Sequence, residues 1–254
     1  MDLNNYFGGG AICHDSIHFP ESDVRVSVAD TKQEITHTLK DGIAYINFSS
    51  SFYMGNSPFS SETYSNYIYS LKDDTNIKGL VFSIYSGGGS AIGGALMKRT
   101  FADFAKVKPL VALVHAAGSA AYWASTGASL IIASSDMAQI GSIGALMSLD
   151  KYSRMIDIMF IKDVYAEQSK DKNAAWREWI ESEEVVTKYQ EMANEAATIF
   201  INDVKASRPY AKEDVYTGKM YPAKDAKRLG LIDGIGSVEY ATDRIKSLVR
   251  AYNN

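Results

Sequence analysis

The chain has 254 residues, 46% hydrophobic and 22% charged, a globular composition that excludes collagen-like, coiled-coil and wholly disordered chains and suits one large or two small domains. Its 26 Lys and Arg against 30 Asp and Glu leave a net charge of −4. That charge lacks the positive excess that drives binding to phosphate backbones, so nucleic acid is not an expected partner. A single cysteine, Cys13, rules out an internal disulfide and a Cys/His zinc box.

Residues 1–40 open on Gly8, Gly9 and Gly10 and scatter His14, His18 and His37 among polar residues. They read as an N-terminal extension or arm, with residues 41–254 as the folded domain. Pro20 argues against a helix that would set His14 and His18 up as metal ligands, and no metal site or cofactor is expected. No basic region followed by an apolar block opens the chain, and no eighteen apolar residues run together. Neither a signal peptide nor a transmembrane segment is expected, and the protein reads as cytoplasmic with no membrane partner.

From residue 43 the chain turns to short apolar runs of strand length: 43–48, 79–85, 110–115, 130–133 and 158–165. Several are apolar at every position, as strands buried between two layers must be. Helix-like stretches at 60–73, 90–106 and 119–127 alternate with them, predicting an α/β fold with a largely parallel sheet. The longest helical stretch is 174–207, with Trp176, Trp179, Val185, Val186, Tyr189, Met192, Ala196, Ile199 and Phe200 at three- and four-residue steps. Such a face packs on a core or a neighbouring subunit. Residues 211–252 read as short helices around Gly218, Gly230, Gly234 and Gly236.

Two places could carry chemistry. Val81 to Gly94 runs from a strand through Gly87, Gly88 and Gly89 into a helix. Ile92 stands where a dinucleotide fingerprint needs Gly or Ala, and no Gly-Lys-Ser/Thr follows for a P-loop. Unhindered backbone N–H groups remain, able to hold an oxyanion or only to turn the chain. The second place is His115-Ala-Ala-Gly-Ser-Ala-Ala-Tyr-Trp-Ala124, where Ser119 sits at a strand-to-helix corner. Its hydroxyl could be a nucleophile, but the local pattern fits an N-cap better. A nucleophile also needs a base. All four histidines precede Ser119, and His115 is awkwardly close on the preceding strand. Lysine is the natural substitute if its pKa is lowered, and Lys151, Lys162, Lys170 and Lys172 are candidates that spacing cannot separate.

Five segments together resemble the S49 serine peptidases, the signal peptide peptidase A-like group, and especially the phage and prophage head-maturation members. They are Tyr85-Ser-Gly-Gly-Gly89, Ala117-Gly-Ser-Ala-Ala-Tyr-Trp123, Ile140-Gly-Ser-Ile-Gly144, Tyr165-Ala-Glu-Gln-Ser-Lys170 and Tyr216 to Asp233. The resemblance implies a ClpP/crotonase-like superhelix of ββα units with a long C-terminal helix. It makes Ser119 the nucleophile, Lys170 the general base and Ser142 the serine that orients the lysine. The N–H groups of Gly88 or Gly89 and of Ala120 would form the oxyanion hole. Gly87 stands where the family has proline, Ala120 and Ala121 replace a glycine pair, and Glu167 and Gln168 replace a Gly-rich approach to the lysine. The added methyls are expected to narrow the substrate's approach, and Glu167, if close, to favour the charged lysine. The implied partners are a protein or peptide substrate, copies of the same chain in a homo-oligomer, and phage scaffold, capsid or portal proteins. A catalytically weak assembly protein and an acyl-CoA hydratase or isomerase are the alternatives on the same fold.

Overall fold

The computed structural model describes residues 35–55, 57–148 and 183–252. The run at 158–165, the histidines at 14 and 18 and most of the N-terminal extension lie outside them. In chain order the elements are β1 (Thr38–Lys40), β2 (Ile43–Phe48), α1 (Ser61–Asp73), β3 (Gly79–Ser86), α2 (Ala91–Ala105), β4 (Leu110–Gly118), α3 (Ala120–Ser125), β5 (Leu130–Ala133) and β6 (Gln139–Gly141). After them come α4 (Glu183–Ser207), a 3₁₀ turn at Glu213–Val215, β7 (Met220–Pro222), α5 (Ala223–Arg228), β8 (Gly234–Ile235) and α6 (Val238–Tyr252).

The described strands form one sheet in the order β1-β2-β3-β4-β5-β8, while β6 pairs with β4 and β7. Only β1–β2 and β6–β7 are antiparallel. The α/β class and the mostly parallel sheet are therefore as the alternation predicts. Beyond the prediction are the short strands β1, β6, β7 and β8 and the 15-residue α6. β1 joins β2 through Asp41 and Gly42, both at positive φ (53° and 79°), the geometry of a two-residue type I′ hairpin.

Both faces of the sheet are covered. Leu80, Phe82 and Ile84 of β3 and Leu110, Ala112 and Val114 of β4 point into the main core with Phe101 and Phe104 of α2 and Tyr122 of α3. The alternate residues Val81, Val111 and Leu113 join Ile43 and Ile132 against Ala241 and Ile245 of α6. Burial on two sides is why these strands are apolar throughout. α4 docks by its C-terminal third: Phe200 stacks on Trp123 at 4.7 Å and 13°. Asp203 beside it accepts from Trp123 Nε1 at 2.7 Å and from Lys98 Nζ at 3.1 Å.

Candidate active site

Strand β4 delivers Ser119 to the C-terminal edge of the sheet, and α3 begins one residue later. Ser119 is half-buried and has φ 50° and ψ −124°, with no side-chain capping bond. This corrects the N-cap expectation. A capping serine holds extended backbone, as Ser60 does at φ −70° and ψ 157° while accepting from Thr63 N–H at 3.2 Å. Ser119 instead stands at a strand-to-helix corner with a positive φ that an L-residue rarely adopts. Its own N–H donates to Gly141 O and its carbonyl accepts from Trp123 N–H, both at 2.9 Å, so the turn is held from two sides.

The Gly-rich loop after β3 passes directly against this corner. Gly88 has φ 122°, and a Cβ there would stand 2.7 Å from Ser119 Cβ, 2.9 Å from Gly118 O and 3.2 Å from Ala120 N. Only glycine permits the approach. Phe52, which sequence reasoning missed, clamps the loop from the other side: its N–H donates to Gly88 O at 2.8 Å and its carbonyl accepts from Ser90 N–H at 2.7 Å. A Cβ on Gly89 would collide with the Phe52 carbonyl. Gly88 N–H donates to Ser86 Oγ at 3.2 Å. The backbones of Gly88 and Ala120 thus lie against Ser119, with the Gly88 N–H already donated to Ser86 Oγ and Gly89 the next residue of the same loop.

The methyls of Ala120 and Ala121 do not narrow the opening as expected. Both residues are buried, 2% and 0% exposed, and Ala120 faces Gly94 of α2, where an added Cβ would lie 2.7 Å from the Ala120 methyl. The two alanines pack α3 onto the core and α2.

Strand β6 brings Ser142 to the same place. Gly118 pairs with Gly141, so the peptide that bonds Ser119 N–H directly precedes Ser142. Ser142 sits at φ 54°, half-buried, with its N–H donating to Lys219 O at 2.9 Å. Gly218 N–H donates to Ile143 O at 3.0 Å. The segment Tyr216–Asp233 therefore closes onto Gly-Ser-Ile-Gly. It also supplies Met220, whose sulfur lies 3.3 Å from where a Gly118 Cβ would be, an apolar neighbour of the Ser119 corner that no local pattern indicated.

His115 turns elsewhere: its Nε2 bonds Ser83 Oγ at 3.0 Å. Lys170 lies outside the described residues, as do Lys151, Lys162, Lys172, Glu167 and Gln168. Among the described residues no His/Cys/Asp/Glu cluster suits a metal ion, and no helix is long and apolar enough to cross a membrane.

A protease-named protein of Methanocaldococcus jannaschii is 30% identical over 196 residues, 75% of this chain and 62% of its own. A signal peptide peptidase SppA-named protein of Enterococcus faecium is 29% identical over 201 residues, 74% of this chain and 57% of its own. The chain thus spans about three-fifths of the length of these relatives. The structure of an enoyl-CoA hydratase from Shewanella pealeana superimposes with a TM-score of 0.52 at 12% identity, covering 85% of this chain and 74% of that one, which shows a shared crotonase-like fold. The model of peptidase family S49 matches residues 102–251, from the end of α2 to the last turn of α6 and through both Ser119 and Ser142. More than half of the sequence lies within that match, and the chain belongs to peptidase family S49.

Proposed function

We propose that the protein is a serine endopeptidase that works through Ser119 and Lys170. The observation that carries the reading is the backbone of Ser119, held at φ 50° with no capping bond against the Gly88 backbone. A serine whose hydroxyl is withdrawn from structural duty, beside backbone amides, suits acyl transfer.

In the reaction, Ser119 Oγ attacks the carbonyl carbon of a peptide bond while its proton passes to a neutral Lys170 amine. The carbonyl oxygen becomes an oxyanion, stabilised by the N–H groups of Gly89 and Ala120, since the Gly88 N–H is donated to Ser86 Oγ. Lys170 then protonates the leaving amine as the C–N bond breaks, and water, deprotonated by the same lysine, releases the acyl group. Ser142 orients the lysine amine. An unperturbed lysine near pKa ~10.4 is almost wholly charged at neutral pH, so the base must be desolvated to act. The substrate is a protein, and the likeness to head-maturation peptidases supports scaffold, capsid or portal proteins in an assembling phage head within the host cytoplasm, with the peptidase working as a homo-oligomer.

A fluorophosphonate probe followed by mass spectrometry tests the reading. Label on Ser119, absent in Ser119→Ala and slowed at least a hundredfold in Lys170→Ala, is the expected result. A parent protein that takes no label, or takes it at another residue, overturns the assignment.

A further inference from the structure

Strand β4 changes partner along its length. Val111–Val114 pair with β5, whereas Ala116–Gly118 pair with β6. His115 is the residue between. It is also the extra residue of a β-bulge, because Ile84 and Tyr85 are consecutive on β3 but pair with Val114 and Ala116. Bulges re-aim side chains near active sites, and crevices open where a sheet's neighbours diverge. Both happen here, on the α6 side of the sheet. A cavity of about 500 Å³ lies at this point, with Asn47, Ser83, His115, Ser134 and Ser135 on its walls above an apolar floor that includes Val81 and Leu113.

The Ser83–His115 pair always has a hydrogen-bond donor to offer. If Nε2 accepts from the Ser83 hydroxyl, the imidazole proton is on Nδ1 and is free to donate. If Nε2 donates to Ser83 Oγ, the serine hydroxyl proton is free instead. Protonated imidazole frees both. In every state the pair keeps a donor to spare beside a lone pair on Ser83 Oγ, so it can bind an accepting side chain, and a carboxamide can use both. Four residues of strand separate His115 from Ser119, about 13 Å at roughly 3.3 Å per residue, which is also the reach of about four residues of extended substrate.

We propose that this crevice is an extended substrate subsite of the peptidase, taking a carboxylate or carboxamide side chain (Asp, Glu, Asn or Gln) about four residues from the scissile bond, with His115 and Ser83 as the recognising pair. The proposal rests on the peptidase reading above.

The test uses quenched-fluorescence decapeptide libraries in which Glu, Gln or Ala is moved through the five positions on either side of the scissile bond. A short peptide with two residues on each side serves as control. The parent should favour Glu or Gln over Ala about tenfold in kcat/KM at one position three to five residues out, the scale of one hydrogen bond. His115→Ala should lose that preference and cleave the short peptide normally, and His115→Gln, which retains a donor, should recover part of it. A preference that survives in His115→Ala, no preference in the parent, or equal losses on short and long peptides overturns the subsite. If the parent takes no fluorophosphonate label and cleaves nothing, the peptidase reading fails separately. Fluorescence anisotropy of the same peptides then decides the crevice: about tenfold weaker binding of Glu peptides by His115→Ala supports it, and equal or undetectable binding by parent and variant overturns it.

Discussion

Ser119 holds a conformation that costs an L-residue about 1–3 kcal/mol and persists only where its surroundings over-determine it. The surroundings are the Gly141 carbonyl on its N–H, the Trp123 N–H on its carbonyl and Gly88 against its Cβ. Ser119→Ala keeps the strain, whereas Ser119→Gly relieves it and returns up to about 1 kcal/mol through the freer unfolded chain. The glycine variant should therefore be more stable than the alanine variant by about 1 kcal/mol in urea denaturation. An alanine variant at least as stable as the glycine one would show that the corner is relaxed. The serine was legible in the sequence as standing at a strand-to-helix corner, but its conformation was not. Ser60 and Ser119 both precede a helix, and only one caps it. What separates them is the bond from Ser119 to Gly141, contributed by a strand 22 positions later, which no local window contains. Met220 and Phe52 were hidden for the same reason: each reaches the corner through pairing of distant segments.

At the scale of elements, the buried parallel strands were readable because burial on both faces leaves a continuous apolar run: β2 and β5 fall where the runs 43–48 and 130–133 put them. The three-residue β6 and β7 carry Gly141 and Pro222 and read as turns, yet together they hold Ser142 in place. β1 was announced by Asp41-Gly42, a hairpin signal that the polar text around it obscured. Helix α4 was legible over Glu183–Ser207, the part of the 174–207 stretch carrying Trp176 and Trp179 lying outside the described residues, and its dock is specific. Phe200 is 2% exposed and stacks on Trp123, which lies four residues after Ser119 on α3. Phe200→Ala should cost about 3–5 kcal/mol by losing an aromatic side chain from a packed site. It should also weaken the near-ultraviolet circular dichroism of Trp123. A loss under about 1 kcal/mol would mean that α4 is held instead by the Asp203 bonds to Trp123 and Lys98.

The whole molecule closes through the segment that follows α4. Tyr122, fully buried on α3, donates its hydroxyl to Leu231 O at 2.8 Å. Nearby, Asp233 accepts from Ile131 N–H at 2.7 Å and from Arg208 at 2.9 and 3.0 Å. These bonds join the core beneath the Ser119 corner to the C-terminal segment that braces Ser142, so one buried phenol reports on the integrity of the fold. Burial pushes the Tyr122 hydroxyl well above the ordinary tyrosine value of 10.0. The folded protein therefore keeps this proton where the unfolded chain gives it up. The resulting stability is complete below pH about 10 and is lost as pH rises towards the raised folded value, by at most about 1.4 kcal/mol per pH unit for this one group. Tyr122→Phe removes both the bond and the titration. Near pH 8 the variant should be less stable than the parent by about 1 kcal/mol, because Leu231 O loses its donor. Above pH 10 the parent should lose stability faster, so that the two urea midpoints converge and cross near pH 11 at about the point where the titration term equals the lost bond. Urea unfolding of both proteins at pH 8, 10, 11 and 11.5 measures it. Curves that stay parallel through pH 11.5 would show that the Tyr122 hydroxyl ionises in the folded state as readily as in the unfolded chain, and that the closure around Leu231 is open to solvent.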